Sequence, residues 1–317
     1  MTTWNRTLDA AGVHDAVLRS DYAAQRRVVA RYRPEAYLAV RLLVPAALVP
    51  HVVAATAFMH RNDDVLDSED GTADRDVRRA EYGRFAASVR DALAGGTPAG
   101  PEAPLLRALA HSASARPELR EAVEELLETA LADLDFVGFT TEADYQSYLD
   151  AYALPALMVV ACLLGPVGAQ PDERFRAACR TFIDGGQRLD FVNDLAEDLA
   201  AGRLTVPTET LDAFGVTRAD LVGEESSGTA ALIRHLLDQA RTTLVQGRAL
   251  VALVPPENRP MTRALIGLEE LTAAAAARKG PALLQGSARP SVPSALALLL
   301  REYREARRVR RGRSGTR

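Results

Sequence analysis

Lysine is almost absent from this chain: of 38 basic residues only Lys279 is a lysine, and the others are arginines. With the abundant alanine, this reflects nucleotide composition rather than function. Cysteine is nearly as scarce. Cys162 and Cys179 are the only two, both in apolar or helical surroundings, which suits buried thiols of a cytoplasmic protein and not a disulfide framework. A net charge of −4 and a pI near 5.8 leave no global basic field to recruit nucleic acid or an anionic membrane. Only residues 307–313 are strongly basic, and residues 306–317 are expected to form a disordered, solvated tail. The first residues, with Trp4, Arg6 and Asp9, lack the basic start and apolar core of a signal peptide. Period-two alternation is also missing, whereas helical periodicity is widespread, so the fold class is all-α.

Apolar residues make up 48% of the 317, ample for a large core. Two uncharged runs, 42–60 and 151–171, approach the length of a membrane span. Each contains prolines, and the first leads straight into Arg61 and a group of aspartates. Buried helices of a large bundle are apolar all round as well, and no transmembrane segment is expected. The periodicity predicts helices over 7–19, 21–43, 45–67, 73–94, 103–113, 117–138, 141–165, 171–200, 217–222, 227–253, 257–280 and 291–307, with Thr141 as an N-cap. Residues 94–101 read as a surface loop rich in Gly and Pro. Acidic motifs on either side of it must converge, which argues for one helical domain over 1–305.

Those motifs carry the chemistry. The first is His60-Arg61-Asn62-Asp63-Asp64-Val65-Leu66-Asp67, the second Gln187-Arg188-Leu189-Asp190-Phe191-Val192-Asn193-Asp194-Leu195-Ala196-Glu197-Asp198. Residues four apart lie above one another on a helix, so Asp63 and Asp67 share a face, as do Asp190, Asp194 and Asp198. Val49, Val52, Val53 and Met59 lead into Asp63, with only Thr56 interrupting the apolar stripe. Carboxylates stacked where a buried face should be are costly unless a cation sits between them. Hard oxygen donors without His or Cys partners point to Mg²⁺ and a substrate diphosphate.

The segment 57–67 resembles the first aspartate-rich motif of squalene and phytoene synthases. Residues 187–207 resemble their second motif, with Gly202-Arg203 and Pro207 in the Gly-Arg-x-x-x-Pro that follows it. Residues 37–45 and 287–300 are similar to the family's opening and closing segments, so the resemblance spans roughly 22–305. It implies an isoprenoid-synthase-type helical bundle with a central cavity, in which metal ions clamp a diphosphate between facing carboxylates and an allylic cation forms. Asp63, Asp67, Asp194 and Asp198 are then the catalytic metal ligands, with Asp190 also on the ligand face and Glu197 behind it. Asp64 points about 100° away from Asp63, given ~3.6 residues per turn, and is a weaker ligand. Arg41, Arg61, Arg188 and Arg203 are candidate diphosphate contacts, Arg203 foremost, and Gln187 joins the substrate-binding set. Phe136, Tyr148 and Tyr152, near Phe139 and Tyr145, would line a cavity able to stabilise a cation. Asp133 or Asp135 is a candidate proton or water relay.

Departures from the family's pattern bear on the reaction. Asp190 stands where the family has Asn, and Asn193 where it has Arg. A glycine-lined helix is replaced by Leu154-Pro155-Ala156-Leu157, in which Pro155 should kink the helix. These changes suit a single diphosphate site beside a different acceptor. The expectation is therefore a Mg²⁺-dependent prenyltransferase of specialised metabolism. It would join a short donor, such as dimethylallyl diphosphate, to an indole- or carbazole-like aromatic. The alternatives are head-to-head condensation of two prenyl diphosphates, giving a phytoene- or squalene-like product, and a class I terpene cyclase.

Overall fold

Local rules set the helix ends. The structure, a computed structural model, describes residues 3–66, 75–166, 172–223 and 226–314, and Asp67 therefore lies outside the described residues. Among these no strand occurs. The expected helix 7–19 is two pieces, Trp4–Ala10 and Ala16–Tyr32, because Gly12 turns the chain at φ 73° and Asp15 caps the second piece through Leu18 N–H. The expected helix 21–43 breaks at Arg33, the residue before Pro34, since a residue preceding proline avoids the helical region. Thr141 forms the expected cap as a full capping box, its hydroxyl accepting from Asp144 N–H and the Asp144 carboxylate accepting from Thr141 N–H.

Two apolar clusters make the core. One gathers the helices Pro34–Leu43, Val49–Leu66, Arg75–Leu93, Ala103–Ala115 and Pro117–Thr129, with Phe58, Leu109, Leu119 and Leu126 almost fully buried. The other gathers Glu173–Asn193, Ser227–Gly247 and Arg259–Lys279 around Leu189, Leu232, Ile233 and Ala276. They meet on Leu154–Leu164, whose Val159 and Leu163 join the first cluster and whose Leu154 and Ala161 join the second.

That helix continues Glu142–Tyr148 through one wide turn, Leu149–Ala153, in which Leu154 N–H reaches back five residues to Leu149 C=O. Pro155 has no N–H to give the ladder, so the chain takes up the change in a π-turn just before it. The whole rod, Glu142–Leu164, is long and apolar enough to cross a membrane, but half of it is buried inside the protein. Its tyrosines bond to neighbouring helices, as described below. The other uncharged run is interrupted between Leu43 and Val49.

The second acid-bearing helix is positioned by close backbone packing. A Cβ at Gly185 would lie 2.7 Å from Leu244 N, and one at Gly247 would lie 3.0 Å from Phe182 Cα. The helices Glu173–Asn193 and Ser227–Gly247 therefore touch backbone to backbone, which no larger residue permits.

One boundary differs from expectation. The last helix, Val292–Ser314, runs well past residue 305, into the segment expected to be a disordered tail. Ala306 is buried in the core, and Arg310 donates to the carbonyls of Leu42 and Val44. Charge density alone suggested a solvated tail; an apolar stripe and one carbonyl-binding arginine hold the segment as helix instead.

Gly185→Ala should push these two helices apart, costing about 1–3 kcal/mol as overpacking does. Gly186→Ala meets no atom within 4 Å and should be neutral or slightly stabilising. Thermal melts of the two variants check this.

Candidate active site

Four elements bring ionisable side chains to one place. From the Val49–Leu66 helix comes Asp63, half-buried, with Asn62 beside it fully buried and accepting a hydrogen bond from Tyr82. From the π-turn comes Tyr152, whose hydroxyl donates to Asp63 Oδ1 at 3.2 Å. One turn earlier, Tyr148 donates to Asp133 Oδ1 at 2.7 Å, and Arg203 Nη2 reaches the same oxygen at 3.4 Å. The Arg203 guanidinium lies over the Phe136 ring, 4.9 Å from its centroid, and its Nε is buried without an acceptor.

Asp63 and the second motif thus meet through Tyr152, Tyr148, Asp133 and Arg203. Burial raises the Tyr152 hydroxyl far above its ordinary pKa, and the charges of Asp63 and Asp133 both add to the shift. Tyr148 is raised by burial and Asp133, with Asp198 adding and Arg203 opposing. Each tyrosine therefore stays a neutral donor; Tyr152 answers to Asp63, Tyr148 to Asp198, and both to Asp133.

The second wall does not follow one unbroken helix. Glu173–Asn193 ends, Asp194 steps out of helical geometry, and Leu195–Ala200 resumes. The i,i+4 bonds nevertheless continue, Asp194 N–H to Asp190 C=O at 2.8 Å and Asp198 N–H to Asp194 C=O at 2.9 Å. Burial raises the pKa of Asp194, and Glu197 raises it further, while Asn193 and Arg289 oppose. Asp198 is raised by burial and by Asp194, with Arg203 opposing. Burial and the Asp194 charge push Asp190 up to about 6, with Arg33 opposing. Glu269, on the Arg259–Lys279 helix, is pushed up to about 7 by burial and by Asp190. These carboxyls hold protons more tightly than free ones, as groups awaiting a cation do.

The aromatic wall is continuous. Phe136 and Phe139 lie 4.8 Å apart, Tyr148 is 5.5 Å from each, and Tyr152 follows at 5.7 Å from Tyr148. Phe191, from the second motif itself, contacts Phe139, Tyr145 and Tyr148. Gln187 sits half-buried one turn before Phe191, on the same helix.

Other expected residues are placed elsewhere. Arg61 pairs with Glu102 at 2.7 Å and covers Phe85, away from the tyrosine bridge. Arg41 bonds to Tyr37 and packs over Trp4 at the opposite end of the bundle. Arg188 is locked between Asp184 and Glu142 and over Tyr145, and so braces the wall from behind. Asp64 is exposed and faces His60 at 3.6 Å. Of the two candidate relay aspartates, Asp133 enters the site and Asp135 pairs outside with Arg79. Helical periodicity cannot tell an arginine facing the cavity from one facing a neighbouring glutamate. Arg33, Glu269 and Arg289 were not singled out in the sequence, because each comes from an element with no acidic motif of its own.

The donor set suits a hard divalent cation. Asp133 and Asp198 act on Arg203, whose orphaned Nε–H an anionic ligand would satisfy. Among the described residues no three acidic, imidazole or thiol groups converge closely enough to hold a metal alone. Mg²⁺ commonly takes only one or two carboxylates and completes its shell with substrate phosphate and water.

The sequence matches the squalene/phytoene synthase family over residues 29–295. The chain belongs to that family. It is similar to a dehydrosqualene synthase solved with a ligand, at 21% identity and a TM-score of 0.76, covering 90% of this chain and 96% of that one. A squalene synthase, HpnC from Alicyclobacillus acidocaldarius, aligns at 26% identity and a TM-score of 0.73, covering 86% of this chain and 98% of that one. A bifunctional lycopene cyclase/phytoene synthase of Aspergillus oryzae is 30% identical over 155 residues, which are 43% of this chain but only 26% of that relative. The family is one of prenyl-transferring enzymes that bind prenyl diphosphates and generally depend on divalent metal.

The raised carboxyls give a pH signature without metal. Glu269 has a folded pKa near 7 against 4.5 for the free group, so its contribution is fully present below 4.5 and is lost as pH rises through 7. In EDTA, Glu269→Gln should leave Tm nearly unchanged at pH 4 and raise it at pH 8, by about 3 °C or more at roughly 2–4 °C per kcal/mol. Calorimetry at both pH values checks this.

Proposed function

We propose that this protein ionises an allylic prenyl diphosphate between Asp63 and the Asp194–Asp198 wall, and joins the allylic cation head-to-head to a second prenyl diphosphate. The observation carrying the ionisation half is the tyrosine bridge, which ties Asp63 to Asp133 and Arg203 and so joins the two motifs in one site. Family membership and the squalene- and phytoene-forming relatives support the condensation half. Asp63, Asp190, Asp194 and Asp198 would hold Mg²⁺, with Asp67 completing the first motif, and the metal supplies the positive charge that lets a diphosphate leave.

The chain's own groups do the rest. Arg203 Nε has no acceptor and is set to donate to a diphosphate oxygen. Tyr148 and Tyr152 spend their hydroxyl protons on Asp133 and Asp63, which fixes their rings as the wall beside the reacting carbon. With Phe136, Phe139 and Phe191 they exclude water and offer π-faces to the cation.

A second reading keeps the ionisation and replaces the second diphosphate with an electron-rich aromatic acceptor. It rests on Asn193, which brings no cation where the family has Arg. Asn193 is buried, however, and takes a different part: its Oδ1 accepts from Ala288 N–H at 2.8 Å, and its Nδ2 donates to Asp194 at 3.0 Å. It thereby pins the segment carrying Arg289, whose charge acts on Asp194. Arg289 supplies from the C-terminal segment a cation that position 193 does not, and this favours condensation.

Paired incubations with Mg²⁺ distinguish the readings. Farnesyl or geranylgeranyl diphosphate alone should give a C30 or C40 product by mass spectrometry. A C-prenylated hydroxyindole or hydroxycarbazole from dimethylallyl diphosphate, with no hydrocarbon from diphosphates alone, would replace the first reading with the second. Asp63→Ala and Asp194→Ala should each abolish turnover; Tm should stay level or rise for Asp194→Ala, which removes a carboxylate repelled by Glu197, and fall somewhat for Asp63→Ala, which leaves the Tyr152 hydroxyl without its acceptor. Turnover that survives both these changes and EDTA would exclude ionisation at this site.

A further inference from the structure

At the far end of the acid-bearing helix, arginines gather where no step of the reaction needs them. Arg6, Arg41, Arg307, Arg310 and Arg311, with Tyr303, line a cleft of about 480 Å³. Val49 also lines it. Asp63 follows fourteen residues later on the same helix, about 21 Å along the axis at ~1.5 Å per residue. The cleft is therefore separate from the site of ionisation, whichever acceptor that site uses.

Three features make it more than a basic surface. First, it is concave and built from four segments: Trp4–Ala10, the end of Pro34–Leu43 with the turn after it, the start of Val49–Leu66, and Val292–Ser314. Second, its guanidinium groups are held in place. Arg310 donates to Leu42 C=O at 3.2 Å and Val44 C=O at 3.0 Å, Arg41 bonds to Tyr37 and packs over Trp4, and Arg307 lies over Tyr303. Third, no Asp or Glu is among the described residues that line it. The nearest carboxylates in sequence are engaged with other partners: Asp9 with Arg19, Glu302 with Arg263 and Arg301, Glu305 with Arg308.

We propose that this cleft binds a phosphorylated anion carrying two or more negative charges. Planar guanidinium forks suit phosphoryl oxygens, and several converging from different segments favour a dense anion over a single carboxylate. The chain's net charge of −4 argues against a nucleic-acid strand, which needs an extended basic track. The same chemistry has two sources, a free diphosphate or the headgroup of an acidic phospholipid.

The test uses the full chain in EDTA, so that diphosphate is not drawn to the metal-dependent site. Pyrophosphate binding is read by calorimetry. Co-sedimentation is read with phosphatidylglycerol vesicles against phosphatidylcholine vesicles. The variant is Arg307→Ser with Arg311→Ser, which spares the Arg310 clamp; Arg6→Ser is a second variant on a separate helix. Arg174→Ser with Arg234→Ser is a control of equal charge, since both residues are exposed elsewhere. Binding should weaken at least about tenfold in the cleft variants, fall with salt and persist in the control. Pyrophosphate binding lost in this way identifies a free anion; selective loss of phosphatidylglycerol binding identifies a lipid headgroup. No binding to either, or equal losses in cleft and control variants, overturns the proposal.

Discussion

Carboxylates set against the interior of a helical bundle repel one another and resist ionisation. Here Asp190, Asp194, Asp198 and Glu269, from three helices and a helical break, act on one another's charge, and Asp63, from a fourth helix, is linked to them through the tyrosine bridge. Much of the surrounding architecture serves to hold that arrangement. Gly185 and Gly247 let two long helices touch, Asn193 ties the C-terminal segment behind Asp194, and Arg188 with Glu142 and Asp184 braces the wall from outside. The same strain that makes the metal-free site unfavourable is what a multivalent cation and a diphosphate would relieve, so stability given up in the empty protein is available for binding and ionisation.

The central rod, Glu142–Leu164, links this electrostatics to the cavity wall. A proline removes one ladder hydrogen bond, the chain answers with a π-turn, and Tyr148 and Tyr152 emerge one turn apart with their hydroxyls on Asp133 and Asp63. One local irregularity thus fixes two aromatic faces and two carboxylates together. Beyond them Ala156, Leu157 and Val160 stay only half-buried in an otherwise apolar helix, consistent with space left beside them for an isoprenoid chain.

How much of this the sequence revealed follows from the range of each signal. Helical periodicity located nearly every helix, because burial repeats locally. Asp63, Asp194, Asp198 and Arg203 were legible because they lie within motifs read at fixed spacing, and Phe136, Tyr148 and Tyr152 because aromatic residues cluster on neighbouring helices. The break at Asp194 was not, since unbroken i,i+4 bonding masks it. Arg33, Glu269 and Arg289 act on the site across long sequence separations, and no local pattern marks them. Arg41 and Arg61 look like phosphate contacts in one dimension, but the helix faces on which they lie turn toward Tyr37 and Glu102. The basic end of the chain read as solvated by composition, whereas Ala306 and Arg310 anchor it.

The account stands or falls on the two acidic walls facing one another across a shared ligand. The most direct measurement is anomalous diffraction from crystals grown with Mn²⁺ and an unreactive thio-diphosphate analogue. Manganese peaks should lie between Asp63 and the Asp194–Asp198 pair, with diphosphate oxygens bridging them and Arg203 Nε on one of those oxygens. Manganese on one wall alone, or a diphosphate bound away from the tyrosine bridge, would contradict it.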